Sequence, residues 1–248
     1  MEEIKLTPEE IKEAIEFGRL IGEGFFSKVF TYKGRLIKME STLYNLLKVN
    51  DKKVSTDVIK DHYRWDTTDF NNRDQLEELS RKQPLIRPKV PEGIITIKSD
   101  DSKINGISPG IIVPHFKGYK SLGEIPKDEY KRLLILLKKL FDDIKSLADN
   151  EIAQEDIFTP AKAPFKDGHY NIIQKGNDPQ IIDMSGPLIK VGKDFQDADR
   201  MYSEFAGLIN YYNRVNGIEP IYQEDEHLTE KKLSEMITEF DKQTRNKK

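Results

Sequence analysis

The 248 residues suffice for one large domain or two closely associated lobes. Apolar residues make up only 37%, yet the 33% charged residues divide into 40 basic and 43 acidic, so no charge imbalance forces disorder. A formal charge of −3 lacks the basic footprint of a nucleic-acid binder, and the absence of cysteine excludes disulfides, thiolate metal sites and a cysteine nucleophile.

The one basic cluster, Arg245-Asn246-Lys247-Lys248, reads as a solvated tail, so nucleic acid is not an expected partner. The longest run free of formal charge, Ile104 to Phe116, has 13 residues and is broken by two prolines and two glycines, too short for a bilayer. Met1-Glu2-Glu3 is acidic where a signal peptide is basic. No membrane partner and a cytoplasmic location are expected, with export as an effector left open.

Thr7-Pro8-Glu9-Glu10 predicts a helix start: Thr7 as N-cap, Pro8 at the first helical position, Glu10 completing a capping box, and a helix to about Phe17. Arg19 to Ile21, Val29 to Tyr32 and Arg35 to Met39 then read as three short strands joined by a glycine turn and by Lys33-Gly34, an antiparallel meander. From Glu40 to about Lys82 the pattern is weakly helical, best at Asp74 to Lys82. Gly93 to Lys98 and Gly110 to Val113 restore strand character around the polar turn Ser99 to Asn105.

From Pro126 the period changes. Tyr130, Leu133, Leu134, Leu137, Leu140, Phe141, Ile144, Leu147 and Ala148 follow a three-four spacing that demands a helix with one buried stripe. After a proline-containing loop come a hairpin at Tyr170 to Met184, a helix at about Asp197 to Tyr212, and a last helix near Glu230 to Phe240. Strands dominate the first half and helices the second, with a seam near Pro114, which predicts an α+β fold.

Three features could carry chemistry. Gly22-x-Gly24-x-x-Ser27-x-Val29 is a glycine-rich turn followed by a strand, not by the helix that a dinucleotide fingerprint requires. Glycines in such a turn let backbone N–H groups lie close to a phosphate chain, and Lys38 on the next strand could reach the same phosphates. Second, Asn171 to Gln174 and Gln180 to Asp183 flank Lys175-Gly176-Asn177-Asp178-Pro179. Pairing about Asn177 would match Ile173 with Ile181, Ile172 with Ile182, and Asn171 with Asp183, bringing two hard oxygen ligands together at the open end, as suits Mg²⁺ held mainly by a nucleotide's phosphates. Third, Asp156 follows the long helix after a short turn, where a carboxylate could orient a hydroxyl.

In order and element context these motifs resemble the protein kinase family. Ile21 to Phe30 is similar to the kinase glycine-rich loop with Ser27 in place of the third glycine, and Arg35-Leu36-Ile37-Lys38 resembles the third-strand lysine motif. Val113-Pro114-His115-Phe116 resembles the hinge that receives adenine. Leu147 to Asp156 resembles the end of the central helix of the C-lobe and the His-Arg-Asp triplet. Asn171 and Asp183 resemble the two magnesium ligands, and Asp199 with Ser203 resembles the start of the helix that anchors the C-lobe.

The resemblance covers roughly Arg19 to Tyr212. It implies a bilobal protein kinase-like fold: a small antiparallel-sheet N-lobe over 1–113 with an N-terminal helix, a hinge at 114–118, and a mainly helical C-lobe over 119–248. It implies ATP and Mg²⁺ as cofactors. Ile21, Gly22, Gly24, Ser27, Val29, Lys38, Val113 and His115 would contact the nucleotide, Asn171 and Asp183 the metal, and Asp156 with Lys38 would be catalytic.

The chain also departs from the pattern. Gln154 and Glu155 stand where the triplet has His and Arg, and Met184-Ser185 stands where Phe-Gly would follow the metal aspartate. Asp156 and Asn171 are 15 apart, so an insertion must loop out. The lysine two residues after the base is replaced by Phe158, with Lys162 or Lys166 as substitutes. Only 16 positions separate Asp183 from Asp199, little room for a switched activation loop. Asp74, Glu77 and Glu78 are alternative partners for Lys38.

Other signals fail. Gly106-Ile107-Ser108-Pro109-Gly110 matches a nucleophile elbow, but Pro109 lacks the N–H an oxyanion hole needs. His62, His115, His169 and His227 lack metal-ligand spacing, and the single Trp65 reads as packing. The sequence therefore predicts transfer of the γ-phosphoryl group of Mg·ATP to a hydroxyl, with a serine or threonine of a protein substrate favoured. A small-molecule kinase of the aminoglycoside or choline type, and a pseudokinase used as a binding module, are the alternatives.

Overall fold

The structure, a computed structural model, describes residues 1–24, 27–49, 55–65, 73–125, 129–159, 169–186, 188–217, 219 and 228–245. The glycine-turn tip Phe25-Phe26, Lys162, Lys166, His227, the tail 246–248 and the side chains of Trp65 and His169 lie outside these residues. The chain is α+β and forms two compact units, one of residues 1–80 and 90–115, the other of 81–89 and 116–248.

The first unit begins with strand β1 (Glu2–Leu6) and helix α1 (Pro8–Phe17). Thr7 caps the helix as its sequence predicts: its hydroxyl accepts from Glu10 N at 3.2 Å and Glu10 Oε2 accepts from Thr7 N at 2.8 Å. Gly18 follows its last turn in an extended conformation, at a place where no side chain fits, a Cβ falling 2.3 Å from the Ala14 carbonyl and 2.6 Å from that of Thr31. Strands β2 (Leu20–Glu23), β3 (Ser27–Tyr32) and β4 (Arg35–Glu40) follow as an antiparallel meander. Lys33 and Gly34, at φ 47° and 79°, supply the two left-handed residues of the turn that matches strand twist.

Three helices, α2 (Ser41–Val49), α3 (Ser55–Trp65) and α4 (Arg73–Lys82), fill the weakly helical stretch before β5 (Gly93–Ile97) and β6 (Gly110–Val113). The sheet order is β1-β5-β6-β4-β3-β2, antiparallel except for β1, which runs parallel to β5. Strand alternation gives the sheet two distinct faces. On one, Phe30, Ile37, Met39, Ile95, Ile97 and Ile112 pack with Ile11, Ile15, Leu43, Tyr44, Leu47 and Ile59 from α1, α2 and α3. Ile94 and Ile111 point to the other, where Leu76 of α4 covers them. Burying one such aliphatic side chain stabilises by about 1.5–3 kcal/mol, so each helix is held by its apolar stripe more than by propensity.

In the second unit β7 (Lys120–Ser121) precedes the 20-residue α5 (Tyr130–Asp149), whose Leu133, Leu137, Leu140, Ile144 and Leu147 are buried as their spacing requires. Strand β8 (Ile152–Gln154), the paired β9 (Phe158–Thr159) and β10 (His169–Tyr170), the hairpin of β11 (Ile172–Lys175) and β12 (Asp178–Ile181), and β13 (Ile189–Val191) follow. Helices α6 (Asp199–Val215) and α7 (Glu230–Arg245) complete the unit and pack on α5, with the Phe141 and Phe205 rings stacked at 6.3 Å. Arg87, on the segment 81–89 of this unit, forks onto Asp143 of α5 and reaches Asp178 of β12 at 2.6 Å; Tyr119 donates to the same Asp178. Among the described residues no helix is long and apolar enough to cross a membrane.

Candidate functional site

The hairpin of β2 and β3 carries the glycine turn. Gly22 lies opposite Val29, the register slips by one residue between Leu20 and Gly22, and Gly24 N donates to Ser27 O at 2.8 Å to close the turn. The backbone itself makes no demand for glycine at either place. Neither has positive φ, and among the described residues an added Cβ would meet nothing nearer than Val29 Cβ at 4.0 Å from position 22 or Ser27 O at 3.5 Å from position 24. At both positions a Cβ would make only ordinary van der Waals contact with the described residues, so a glycine there is not forced by packing against them.

Lys38 sits in the middle strand β4, directly opposite Val29 of β3 and Ile111 of β6, and is only 8% exposed. Directly opposed residues share a face, so Lys38 projects on the side where Leu76 of α4 packs against Ile111. Of the acidic residues on α4, Asp74 is exposed, Glu77 accepts from Arg73 Nε at 3.1 Å, and Glu78 is half-buried. Ile21 is 49% exposed at the bulge, Ser27, Val29 and Val113 are half-buried, and His115 is exposed just after β6.

In the second unit Asp156, Asn171 and Asp183 arrive from three separate stretches of chain. Asp156 follows β8, which pairs with β13 and is buried at all three positions. The insertion after it does not separate Asp156 from Asn171. Phe158 pairs with Tyr170 and Thr159 with His169, so the chain leaves and returns at one place. Asn171 N then donates to Ile157 O at 3.0 Å, and Asn171 Nδ2 donates to Asp156 O at 2.6 Å and to Asp156 Oδ2 at 3.1 Å. With Nδ2 committed to Asp156, the amide oxygen Oδ1 takes no hydrogen bond among the described residues.

The hairpin register differs from the one read from the sequence. Ile172 pairs with Ile181 and Lys175 with Asp178, so Asn171 faces Ile182, whose N–H donates to Asn171 O at 2.9 Å; Asp183 is not its opposed partner. The cause is the turn. Gly176 takes φ +60° at the first of two central positions, so the loop holds Gly176 and Asn177 only, and the register moves by one residue.

Asp183 lies just past the strand end, exposed, in the left-handed region at φ +61°. A non-glycine residue there needs surroundings that hold it. Gln154, 2% exposed, donates through Nε2 to Asp183 O at 2.9 Å and Ile182 O at 3.4 Å. Ser185 N donates to Asp183 O at 2.8 Å, the Ser185 hydroxyl to Asp183 Oδ1 at 3.3 Å, and Met184 between them is buried in the core.

Glu204 of α6 was not singled out in the sequence. Its Oε2 accepts from the backbone N–H groups of Ile157 and, at 3.3 Å, Phe158, steadying the stretch that follows Asp156. Burial pushes its carboxyl above the usual range, partly offset by those two N–H donors, and the nearby Asp156 adds to the rise. Nothing in a helix pattern marks one glutamate for this duty. Asp199 only begins α6, exposed, its N–H bonded to Asp197 Oδ1 at 3.1 Å.

Among the described residues no group of three or more His, Asp or Glu could hold a metal ion alone. Asn171 Oδ1 and the Asp183 carboxylate are two hard oxygens, a donor set that fits Mg²⁺ only where phosphate oxygens and water complete the octahedron. The rejected Ser108 is buried and donates to Gly110 O at 3.2 Å, and β6 rather than a helix follows it. No protein-family model matches the chain, and no curated protein matches it.

Proposed function

We propose that this chain is an ATP-dependent phosphotransferase with a protein kinase-like bilobal fold, acting on a hydroxyl, with protein serine or threonine as the first expectation. The observation that carries the reading is the pairing of Asp156 with Asn171 through the Asn171 amide, together with the bond from Ile182, the residue before Asp183, to the Asn171 carbonyl. The glycines at 22 and 24, which neither positive φ nor packing against the described residues requires, and the shielded Lys38 support it from the first unit.

In this reading backbone N–H groups of the glycine turn bind phosphate oxygens, and Lys38 adds a point charge. Asn171 and Asp183 hold Mg²⁺, which supplies neutralising charge to the phosphates. Asp156 Oδ2, braced by Asn171, orients the acceptor hydroxyl and takes its proton as the oxygen–phosphorus bond forms and the bond to the ADP oxygen breaks.

Thermal stability with ATP, with and without Mg²⁺, tests this. At a nucleotide concentration 100 times Kd, binding adds about 2.7 kcal/mol, a shift of a few degrees in Tm. A Mg²⁺-dependent shift in the wild type that disappears in Asp183→Ala supports the reading. No shift at millimolar ATP overturns it.

A second reading, a small-molecule kinase, is favoured by the short path after Asp183. Only five residues precede β13, which pairs straight back to β8, and α6 begins at Asp199. Label transfer from ATP to protein acceptors compared with small alcohols separates the two. Binding without any transfer would instead mark an interaction module.

A further inference from the structure

We propose that Lys28 is a positioning residue that fixes the glycine turn against helix α2 and so sets nucleotide affinity without touching the nucleotide; this deepens, and rests on, the phosphotransferase reading. Lys28 lies opposite Met39 and is 7% exposed, while its neighbour Val29 lies opposite Lys38. Successive strand residues point to opposite faces, so Lys28 projects to the face of Phe30 and Met39, which α1, α2 and α3 cover, and away from the face of Lys38. There its Nζ sits 6.0 Å from the ring centroid of the buried Tyr44 and pairs with Oε1 of Glu23, the residue opposite it across the turn.

Ser41, Tyr44 and Lys48 follow one another at steps of three and four and so share one face of α2. That face meets the turn. The Ser41 hydroxyl donates to Gly24 O at 3.4 Å, the Tyr44 ring carries Lys28, and Lys48 Nζ approaches the same ring at 5.5 Å. Helix α2 starts at the residue after the last of β4, so one helix ties the strand of Lys38 to the glycine turn. A cation over an aromatic ring shielded from water is held more firmly than one in solvent. A turn already held in its binding geometry loses less freedom when phosphates arrive, which leaves more of the contact energy as affinity.

The test measures binding of a non-hydrolysable ATP analogue with Mg²⁺ by calorimetry, alongside Tm, for the full chain, Lys28→Met, Lys28→Arg, Glu23→Gln and the double variant of Lys28→Met with Glu23→Gln. Methionine keeps the buried stem, and the freed Glu23 side chain, 61% exposed, strands no charge in the interior, so Tm of Lys28→Met should stay close to wild type. Affinity should fall about tenfold in Lys28→Met and in Glu23→Gln and no further in the double variant, as for two groups of one ion pair, and it should largely return in Lys28→Arg. A merely structural role would lower Tm and leave the affinity of the folded protein unchanged. Affinity within about twofold of wild type in Lys28→Met, additive losses in the double variant, or no recovery in Lys28→Arg overturns the inference while leaving the phosphotransferase reading standing. Should Lys28→Met not fold, Glu23→Gln decides: a loss of about tenfold supports the inference and an unchanged affinity overturns it. Failure of the wild type to bind the analogue overturns both.

Discussion

Asn171 Nδ2 donates to both the backbone carbonyl and the carboxylate of Asp156, 2.6 and 3.1 Å away, although 15 positions separate the two residues. Asn171→Asp would keep an oxygen at the proposed metal position but exchange the donor for a second carboxylate. Hydrogen bonds to charged groups are worth about 1.5–3 kcal/mol, so phosphoryl transfer should fall roughly 10–100-fold or more. Like-charge crowding should also raise the pH at which half-maximal activity is reached. Steady-state rates from pH 5 to 9 check this, and an unchanged profile would remove Asp156 from its assigned role.

Gly22→Ala and Gly24→Ala separate folding from ligand approach. Among the described residues each added Cβ meets no backbone atom closer than 3.5 Å, so Tm should hold within a degree or two. Nucleotide affinity should drop at least roughly tenfold if phosphates occupy the room above the turn, since about 1.4 kcal/mol of lost contact is tenfold in Kd. Equal nucleotide affinity in both variants would show that the turn only connects strands.

Gln154→Leu should divide activity from stability. The side chain is 2% exposed, its Oε1 is buried without a hydrogen-bond partner among the described residues, and its Nε2 holds Asp183 O. Removing an unsatisfied buried oxygen offsets the loss of the donor bond, so stability should change by less than about 1 kcal/mol. Transfer should fall about tenfold or more because Asp183 loses a restraint on its left-handed backbone. Denaturant midpoints and rates on the same samples check both halves.

Asp143 makes stability depend on pH in an unusual direction. Burial pushes its carboxyl from 3.8 to about 6, and the Arg87 fork only partly offsets that. The native state then binds the proton more tightly than the unfolded chain, so this group's contribution falls as pH rises from about 4 to about 6 and is flat above. Asp143→Asn should therefore gain on the wild type across that window, by up to about 3 kcal/mol at 1.36 kcal/mol per pH unit. Urea unfolding at pH 4.5 and pH 7 gives the difference, and a variant that loses ground as pH rises would contradict it.

Local chemistry was legible in the sequence and long-range pairing was not. The Thr7 and Glu10 capping box and the stripe of α5 need only neighbours three or four apart, and both elements appear where the pattern puts them. Strand β1 was missed because Glu2-Glu3-Ile4-Lys5-Leu6 is mostly charged; it is a strand through its parallel ladder with β5, about ninety residues away. β8 and β13 are three residues each and depend on one another. The hairpin was expected but its register was not, because a single backbone angle at Gly176 decides it.

The candidate site shows the same division. Asp156, Asn171 and Asp183 could be singled out as residue types, whereas the contacts that hold each of them could not. The β9 and β10 pairing, the Gln154 amide and the Glu204 carboxylate are all tertiary contacts. Gln154 was visible only as a departure from a motif, and Ser185 only as a residue standing where glycine would be.

Transfer of label from γ-labelled ATP in the presence of Mg²⁺, to the chain itself and to a panel of protein and small-alcohol acceptors, tests the central claim most directly. The wild type should transfer label, and Lys38→Met and Asp183→Ala should each reduce it by at least about 100-fold, the loss expected for removing one charged contact to the transition state. Undiminished transfer in both variants would contradict the account.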